Sequence, residues 1–591
     1  MSVFEITDFG AVGDGETLNT AAIQAAVEAC AGKGGGTVQV PAGVFVSGPV
    51  FLRSNIEFHL GAGAVLSGSR NFDDYPLLDV EGHGYHINRW WHASLLTGCH
   101  LENVAITGRG VLDGQGDVWW QAKDAGELRH IRPMIAWLFD CERVRVDGVK
   151  MMNSPSWTLL PVFCRNVSIH AITVKNPWKP YHNCDGINLM SCRNVRISNC
   201  HVDTGDDGIC LKTVPDFGMV CKPVEGKLAP DYSQPRIPCE NVIIDNCVVE
   251  HAHSGVGLWA EVIGGIRNIA VTNCVFDGTR TGIRMARYPV AGGFVRDVRV
   301  DNIVMRRVGY VFELSTELAP WFGTEPLAEP GMDESPDFSN IHFSNITATQ
   351  AQIACEARGL PRAAPHDISF SNLRIEADAG FHLRHLQNVL LDNVEVECRS
   401  VPLVAQDCTN LELRRFNAPT PPADDAAIEL TRTKATWIHG CMAAPGIEIF
   451  VGLVGEENTG LVTENNRLTH AAQAQATVEP ANEWNICSHA YSGARWIRDT
   501  GEHNSWLPVS AAVMQTLRET WPQEQIDRVF SISRVEPNAR NGAEVDDPAE
   551  ERRIYIIEAH NIKERLVVFE NGEVLRRISD PDFHAYNWEG M

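Results

Sequence analysis

The sequence predicts an all-β protein that coils as a right-handed parallel β-helix and ends in a small α+β module. A seven-residue pattern recurs between residues 102 and 415, and its copies begin mostly 21 to 29 residues apart. Each copy alternates apolar and polar residues between polar turns, as short strands with one buried face do. A single coil of this kind cannot bury its apolar face, whereas a stack of coils can.

The copies of the repeat share an acidic, basic or polar residue, then usually Asn or Asp, then apolar residues at alternate positions. A leucine-rich repeat would show consensus leucines, and a propeller would show a period near 40 residues; neither pattern is present. The copies begin at Glu102, Glu142, Arg165, Arg193, Glu240, Arg267, Arg296, Ser339, His366, Gln387 and Thr409.

The first 68 residues predict the start of the coil and a helix that covers its open end. Residues 6–15 are a turn-rich strand, and an alanine-rich apolar face predicts a helix over about residues 19–31. Asn19 or Thr20 can serve as its N-cap. Such a helix is expected because the terminal coil of a solenoid otherwise exposes its core.

The repeat fades near residue 467, which divides the chain into a β-helix domain (1–470), a linker (471–480) and a module of unknown function (481–591). The module predicts a helix over Val509–Glu519 and a hairpin with an Asn571-Gly572 turn. Its tryptophans are more typical of a core or an interface than of a sugar-stacking surface. The module also offers a surface through which the chain could form a homo-oligomer.

The composition of the chain excludes several classes of binding partner. The net charge of −25 argues against nucleic acid and against an anionic membrane, but a small basic site on an acidic body can still bind an acidic sugar. No apolar stretch long enough to span a membrane is present, and Met1–Glu5 begins no signal peptide. The 17 cysteines show no metal-ligand spacing, so we expect free thiols in the cytoplasm; the alternative is a secreted protein whose signal peptide has been removed.

Chemically reactive residues concentrate between residues 183 and 287. Asp185 and Asp206 are 21 residues apart, about one coil. His253 follows after an inserted loop, and Arg284 follows one coil later. Because stacked strands lie about 4.8 Å apart, the register predicts that these side chains form one column.

The column also contains adjacent Asp206 and Asp207. A lone Asp at a turn usually bonds the backbone, but clustered carboxylates are costly unless they bind a cation or share a proton. Two carboxyl groups that flank a glycosidic bond hydrolyse it, one as an acid and the other as a base or nucleophile. The spacing in the sequence does not distinguish inversion from retention.

At these residues the chain resembles the polygalacturonase family, glycoside hydrolase family 28. The resemblance covers roughly residues 3–350 and includes Gly34-Gly35-Gly36-Thr37-Val38, Trp119-Trp120 and Asn153-Ser154-Pro155. The Asn-Thr-Asp, Gly-Asp-Asp and Gly-His-Gly elements of the family correspond to Asn183-Cys184-Asp185, Gly205-Asp206-Asp207 and Ala252-His253-Ser254.

The resemblance implies an inverting hydrolase of α-linked galacturonic acid that needs no cofactor and no metal. By analogy Asp206 is the general acid, while Asp185 and Asp207 activate water. His253 orients the acid. The resemblance implies substrate contacts at Asn183, Arg284, Lys212 and Arg287.

One position departs from the family. Its Arg-Ile-Lys element, which holds the carboxylate of the leaving-side sugar, is Arg284-Met285-Ala286 here, and Arg287 follows. The lost lysine removes a charge-assisted bond, so the alternative is a rhamnogalacturonan-type hydrolase with a neutral leaving-side sugar. Residues 213–238 and 314–336 predict loops that close the groove, as in an exo-acting enzyme on short oligosaccharides.

Three other functions are compatible with this fold. A β-helix polysaccharide lyase would use bound calcium, with Arg284 as the base. A non-catalytic scaffold would only bind sugar, and a transferase or isomerase would show no net hydrolysis. The carboxylates together with His253 favour hydrolysis over all three.

Overall fold

The computed structural model describes residues 2–178, 182–214, 235–287, 292–316, 335–419 and 426–478 of the 591-residue chain. Beyond these ranges it describes only the backbone of several strands, and for residues 88–90 likewise only the backbone. Three long parallel sheets form the sides of a parallel β-helix, as predicted.

The first sheet contains the recurring pattern. Its strands are Val3–Glu5, Gly36–Val40, Ile56–Leu60, Glu102–Gly108, Glu142–Asp147, Arg165–His170, Arg193–Ser198, Cys239–Asp245, Ile266–Thr272, Thr409–Arg414, Lys434–His439 and Val462–Glu464. Four long strands bend from this sheet into the second, and the middle two continue into the third: Phe294–Arg306, Asp337–Arg358, His366–Arg384 and Gln387–Glu397.

The second sheet is made of short strands. They are Asp14–Leu18, Gly43–Ser47, Ala64–Gly68, Val111–Asp113, Lys150–Met152, Thr173–Lys175, His201–Asp203, Val248–Glu250, Val275–Asp277, Asn417–Ala418 and Met442–Ala443.

The third sheet lies beside the candidate site. Its strands are Val50–Phe51, Leu96–Cys99, Ala136–Phe139, Leu159–Val162, Ile187–Met190, Ile209–Lys212, Ser254–Leu258, Thr281–Ala286, Tyr310–Ser315, Leu403–Gln406, Ala426–Thr431, Ile449–Val454 and Gln473–Val478.

The repeat predicted from the sequence is the register of the first sheet. Each copy pairs with the next at equivalent positions, from Glu102 opposite Glu142 through to Gln387 opposite Thr409. The second residue of each copy has a positive φ, for example 58° at Asn194, which Asn tolerates better than most residues. Asn side chains stack there: Nδ2 of Asn194 donates to Oδ1 of Asn166 at 3.2 Å.

The core runs the length of the coil and is filled by one apolar residue per strand at each level. In the third sheet Ile187, Ile209, Val256 and Ile283 are in register and fully buried. Side chains at the positions between them point outward. This alternation places the outward residues of successive strands in columns, which is the geometry that assembles the site.

Helix α1 (Thr20–Gly32) covers the N-terminal end as predicted, and buries Ile23, Val27 and Cys30. Its capping differs from the prediction. The side chain of Asn19 makes no cap hydrogen bond; its Oδ1 accepts from the amide of Val12 at 2.6 Å and so ties the first turn to the helix.

Smaller elements lie outside the sheets. They are 3₁₀ turns at Ile6–Phe9 and Phe72–Asp74, helix α2 (Asp117–Asp124), and hairpins formed by Leu77–Gly82 with Tyr85–His92 and by Cys221–Val224 with Lys227–Pro230. Most of the two predicted groove loops, 213–238 and 314–336, lies outside the described residues.

The C-terminal part corrects one predicted boundary. Gln473–Val478 pairs in parallel with Ile449–Val454, so the coil continues through the predicted linker. Alternating Gln and Ala gave no apolar face to detect, because this last strand is largely exposed. Further on, a six-stranded sheet contains Trp496–Asp499, Trp506–Pro508, Val529–Val535, Ile554–Ala559, Glu564–Phe569 and Val574–Ser579.

The strand pairing of the predicted C-terminal hairpin is confirmed, since Glu564–Phe569 and Val574–Ser579 pair antiparallel, while its predicted Asn571-Gly572 turn lies outside the described residues. The predicted helix Val509–Glu519 lies outside the described residues. The cysteines within the described residues all have free thiols. Among the described residues, no helix combines the length and apolar character needed to cross a membrane.

Candidate active site

The candidate site lies where the chain enters three consecutive strands of the third sheet, at Ile187, Ile209 and Ser254. Since Ile187 pairs with Ile209 and Ile209 with Val256, the residues two positions earlier are also in register. Asp185 is therefore equivalent to Asp207 rather than to Asp206. Asp206 lies one residue earlier, in the bend between two sheets.

The carboxyl groups of Asp185, Asp206 and Asp207 lie close together. One oxygen from each of Asp185, Asp206 and Asp207 lies within 4.8 Å of the other two. Nδ2 of Asn183 lies 3.3 Å from Oδ1 of Asp185 and 3.2 Å from Oδ2 of Asp206, so its amide donates between them. Asn183 adopts a φ of 56°, a conformation that Asn accepts at low cost.

His253 joins the cluster through Asp206. Its Nδ1 lies 3.1 Å from Oδ1 of Asp206, and its backbone amide donates to the carbonyl of Asp206 at 2.9 Å. Both side chains keep some exposure, 20% for His253 and 16% for Asp206. Asp185 and Asp207 are each only 1% exposed. Asp206 is therefore the most accessible carboxylate of the three.

Two neighbouring side chains contact the carboxylate of Asp207. The hydroxyl of Ser254 donates to its Oδ1, and Nζ of Lys212 lies 3.8 Å from its Oδ2. Lys212 is 4% exposed and also pairs with Glu261 at 3.1 Å. This is the environment of a counter-charge to the carboxylates, which differs from the substrate contact expected at Lys212.

The carboxylates differ in proton affinity. Burial, reinforced by the charge of Asp206, raises the pKa of Asp185 well above its ordinary value. Burial also raises the pKa of Asp206, but the charge and hydrogen bond of His253 outweigh it and leave that pKa below its ordinary value. In the free protein, a proton held by the cluster therefore resides on Asp185.

Arg284 lies in the same sheet, one strand beyond the strand that begins at Ser254, and is fully buried. Its Nε is 3.0 Å from Oε2 of Glu313, the residue opposite it in the next strand. The guanidinium carbon lies 3.5 Å from the ring centre of Trp259. Arg284 is thus paired with a carboxylate and covered by an indole.

Arg287 follows the strand and is also fully buried. Its guanidinium donates to the backbone carbonyl of Ala260 at 3.0 Å and to that of Gly292 at 3.4 Å. The structure therefore places Arg287 among backbone carbonyls, away from the carboxylate cluster, where it fastens two connecting segments.

Helix α2 bounds the opposite side of the cluster. Trp120 stacks flat on His182, with ring centres 4.4 Å apart, and its Nε1 donates to the carbonyl of Ser154. Arg132 is buried and donates to the carbonyls of Pro155 and His182 at 2.7 and 2.8 Å. Because His182 directly precedes Asn183, these contacts fix the segment that carries the first carboxylate.

Several of these residues escaped prediction. Asn188 donates to Asp185 at 2.9 Å, and Ser254 and Glu261 complete the surroundings of Asp207 and Lys212. The strand period could have found Asn188, a polar residue in an otherwise apolar strand. The strand register could also have found Glu313, which lies opposite Arg284 in the next strand. Nothing in the sequence signals that Glu261 pairs with Lys212, because that pairing depends on loop conformation.

The arrangement provides acid, base and electrostatic groups within a few ångströms. The three carboxylate oxygens are close enough to bind a single cation, yet His253 already contacts Asp206 and the ammonium group of Lys212 lies 3.8 Å from Asp207. One exposed carboxylate beside two buried ones can protonate a leaving oxygen while the others polarise a water.

Comparison with known proteins agrees with this chemistry. Residues 30–398 match the family model described as glycosyl hydrolases family 28. A probable polygalacturonase of Vitis vinifera is 30% identical over 383 residues, which cover 63% of this chain and 74% of that protein. An exo-poly-alpha-D-galacturonosidase of Dickeya chrysanthemi is 29% identical, covering 52% of this chain and 55% of its own.

Solved structures agree in fold. The crystal structure of a hyperthermoactive exopolygalacturonase from Thermotoga maritima superposes with a TM-score of 0.55 at 25% identity, over 67% of this chain and 91% of that one. The polygalacturonase of Erwinia carotovora ssp. carotovora superposes with a TM-score of 0.52 at 22% identity, over 66% of this chain and 96% of that one.

Proposed function

Because the chain belongs to glycosyl hydrolase family 28, we propose that it hydrolyses α-linked galacturonic acid in pectic oligosaccharides by an inverting acid–base mechanism. The observation that carries the proposal is the cluster of Asp185, Asp206 and Asp207 with His253 on Asp206. A protein that only bound sugar would have no need of three carboxylates this close, since their mutual repulsion is unfavourable.

Asp206 is the proposed general acid because it is the most accessible carboxylate. In the free protein its pKa is low, so it must gain a proton before cleavage. A bound sugar supplies the reason: it excludes water from Asp206 and places an oxygen against it, and loss of solvent raises a carboxyl pKa. Asn183 donates to both carboxyl groups and so holds Asp206 beside Asp185.

Asp185 and Asp207 are proposed to hold the attacking water. A carboxylate that attacks the sugar itself must touch the anomeric carbon, and at 1% exposure neither is placed to do so. The oxygens of Asp206 and of these two carboxylates lie within 4.8 Å of one another, closer than is usual in inverting enzymes, where the acid and base carboxyl groups stand about 6.5–9.5 Å apart. The proposal of inversion therefore rests on burial and on family membership.

The stereochemistry has a direct test. Proton NMR during the first minutes of hydrolysis distinguishes the anomers of the released galacturonic acid before they equilibrate. The β anomer as first product supports inversion. The α anomer would require a covalent intermediate, and would make one of the two buried carboxylates a nucleophile.

We further propose exo action, supported by the exo-acting relatives of Dickeya chrysanthemi and Thermotoga maritima. Oligogalacturonides of increasing length, each labelled at the reducing end, provide the test. Release of single sugars or of one fixed short product from every substrate supports exo action. Unlabelled oligomers of several lengths among the earliest products would show internal cleavage. A parallel assay in chelator separates hydrolysis from a calcium-dependent lyase, whose product would be unsaturated.

The surroundings of Arg284 support a second candidate function. Its charge is matched by Glu313 and its face is covered by Trp259, and Ala286 provides no cation beside it. A carboxylate on the leaving-side sugar would therefore gain little here. This favours a neutral leaving-side sugar, such as the rhamnose of rhamnogalacturonan, with galacturonic acid kept on the other side of the bond.

Reducing-end release from oligogalacturonides and from rhamnogalacturonan oligosaccharides, measured side by side, separates the two candidates. Cleavage of the first substrate alone means that a leaving-side carboxylate is accepted despite Glu313. Cleavage of the second alone means that the leaving-side sugar is neutral. Cleavage of neither would contradict the proposed substrate class.

A further inference from the structure

One outward-facing column of the third sheet leads directly into the candidate site. It runs in register from Phe139 through Val162 and Met190 to Lys212, whose ammonium group lies 3.8 Å from Asp207. The first three side chains are apolar and fully buried, although they point away from the core of the coil. Another part of the chain therefore covers this face of the sheet up to the site.

The cover is a β-hairpin, here called the cross-sheet hairpin (residues 77–92). Its strands Leu77–Gly82 and Tyr85–His92 pair antiparallel. The loop between them consists of His83 and Gly84, whose φ angles of 54° and 86° are the two positive values that a type I′ turn requires. Four apolar side chains of the hairpin are buried in one cluster with the outward residues of the sheet: Leu78, Tyr85, Ile87 and Trp91.

The cross-sheet hairpin spans the width of the third sheet. Its base lies at the edge where the chain enters the strands, because the amide of His92 donates at 3.1 Å to the carbonyl of Ile131, which precedes the strand Ala136–Phe139. Its turn lies at the opposite edge. There Nε2 of His83 is 2.8 Å from Oδ1 of Asp140, the residue that follows the same strand.

The turn of the cross-sheet hairpin is fixed to the far edge of the sheet. The ring of Tyr85 lies 5.3 Å from that of Phe163, and its hydroxyl donates to the carbonyl of Pro235 in the first of the predicted groove loops. The backbone at Gly82 lies so close to Phe139 that a β-carbon there would come within 2.7 Å of the ring. The hairpin therefore leaves no room for a sugar between itself and this part of the sheet.

The apolar cluster beneath the hairpin reaches the strand that carries part of the site. Met190 belongs to the cluster and lies in the strand Ile187–Met190, as does Asn188, which donates to Asp185. A sugar chain on this face can therefore extend beyond the site only in the other direction, toward Arg284. The resemblance to the family places Arg284 on the leaving side of the scissile bond, so the hairpin lies on the glycone side.

We propose that the cross-sheet hairpin closes the binding groove on the glycone side, so that the enzyme acts from the non-reducing end and releases one short product. The inference rests on the proposed function and deepens it by identifying the element that causes exo action. It also narrows the substrate class to pectic chains whose non-reducing end is free. A longer glycone would have to displace side chains that are buried in an apolar cluster, which is unfavourable.

The first test uses the wild-type protein, so it does not depend on the folding of a variant. Two pectic oligosaccharides of equal length are compared, one with a free non-reducing terminal sugar and one with a bulky fluorophore attached to that sugar. Chromatography follows the products over time. We expect hydrolysis of the free oligomer and loss of hydrolysis with the substituted one. Cleavage of both at similar rates would overturn the proposal.

A shortened hairpin tests the same point by changing the protein. Because Asp79 pairs with Asn88, replacing residues 80–87 by the dipeptide Asn-Gly keeps the base of the hairpin and removes its far half. His86→Ala is the matched control, since His86 lies in the same hairpin but is 42% exposed and bonds Asp79 instead of the sheet.

We expect the shortened variant to hydrolyse the substituted oligomer at internal bonds, and His86→Ala to reject it as wild type does. Thermal unfolding checks that each variant is folded. A folded shortened variant that still rejects the substituted oligomer would contradict the proposal. If the shortened variant does not fold, the comparison with wild-type protein decides alone.

The failure of the proposed function is distinguishable from the failure of this inference. Hydrolysis of the free and the substituted oligomers alike leaves the hydrolase standing and overturns the closed groove. If the wild-type protein hydrolyses no pectic oligosaccharide, the proposed function fails, and calorimetric titration with free and substituted oligogalacturonides decides about the hairpin. Binding of the free oligomer alone supports closure, whereas equal binding of both, or binding of neither, overturns it.

Discussion

In the free protein the pKa of Asp206 is low and that of Asp185 is high. The catalytic roles of these two residues must therefore be assigned individually. Accessibility and contact with His253 select Asp206 as the acid, whereas resting protonation alone would select Asp185. The two assignments predict different behaviour with substrates whose leaving group needs no protonation.

We expect Asp206→Asn to lower kcat on oligogalacturonides by about 10²–10⁴-fold, the usual contribution of general acid–base catalysis. With dinitrophenyl galacturonide, whose leaving group departs without a proton, its activity should return to within about 10-fold of wild type. Asp185→Asn should be inactive on both substrates. Steady-state kinetics with the two substrates is the measurement, and Asp245→Asn, at a turn of the first sheet, is the control.

The opposite pattern, in which Asp185→Asn is rescued by the activated substrate and Asp206→Asn is not, would reverse the two roles. It would also mean that the proton which the raised pKa places on Asp185 in the free protein is the one donated to the leaving oxygen.

The raised pKa of Asp185 also predicts a pH-dependent cost in stability. An unfolded Asp titrates near pH 3.9, so above that pH the folded protein binds more protons than the unfolded chain does. Stability contributed by the protonated carboxyl is then lost as pH rises toward the folded pKa. Asp185→Asn removes the charge and keeps one of the two acceptor oxygens, and it should melt at a higher temperature than wild type.

We expect this difference in Tm to be near zero at about pH 4 and to grow with increasing pH, reaching a few degrees for each ~1–2 kcal/mol of relieved cost. Asp206→Asn should lower the Tm by an amount that changes little from pH 4 to 8, because the low pKa of Asp206 means that its charge stabilises the folded state, and this stability begins to be lost only as pH falls below about 3.9. Differential scanning calorimetry across pH 4 to 8 measures both. A Tm difference for Asp185→Asn that shrinks as pH rises would contradict the assignment.

At the scale of the structural element, the turn before each strand of the first sheet depends on one residue. Asn194 has a φ of 58°, and its side chain donates to Asn166 and accepts from Asn241. Two effects are combined here, a backbone conformation that Ala disfavours and a ladder of side-chain hydrogen bonds. They are separable because Gly keeps the first and lacks the second.

Asn194→Ala should destabilise the β-helix by about 2 kcal/mol, since a left-handed conformation costs about 1–2 kcal/mol and the ladder bonds add to it. Asn194→Gly should cost less, about 1 kcal/mol, because Gly adopts positive φ freely. Chemical denaturation followed by tryptophan fluorescence measures both variants. A larger loss for Gly than for Ala would show that the backbone conformation is not the dominant effect.

The repeat of the first sheet also explains how much of the fold and of the candidate site could be predicted from the sequence. The repeat defines strands and register, because each coil must present the same apolar positions to a continuous core. It also placed Asp185, Asp206, Asp207 and His253 together. It could not place helix α2 beside the site, because α2 is an insertion whose docking depends on Trp120 and His182, residues far apart in the chain.

Two predictions were wrong because the same local sequence pattern is compatible with more than one structure. Asn19 precedes a helix, as an N-cap does, yet its side chain bonds Val12 because the chain turns back on itself there. Gln473–Val478 lacks an apolar face, yet it forms a strand because the preceding strand presents unpaired backbone groups for it to bond. Both outcomes depend on tertiary contacts that periodicity does not encode.

At the scale of the whole molecule, the protein carries a net charge of −25, and its proposed substrate is also an anion. The electrostatic field of the whole chain therefore opposes the approach of the oligosaccharide, while the cations beside the carboxylate cluster attract it only at short range. Salt screens distant charges more effectively than close, partly buried ones, with a Debye length of about 30 Å at 0.01 M and about 10 Å at 0.1 M.

We therefore expect kcat/KM on oligogalacturonides to rise as ionic strength increases from about 0.01 to 0.1 M, because screening weakens long-range repulsion before it weakens binding in the site. The rise should be steeper for longer oligomers, which carry more charge, and absent for the uncharged p-nitrophenyl α-galactoside. A monotonic fall with salt would instead mean that attraction to cations along the groove dominates the encounter, and that the acidic charge lies on surfaces remote from the path of the substrate.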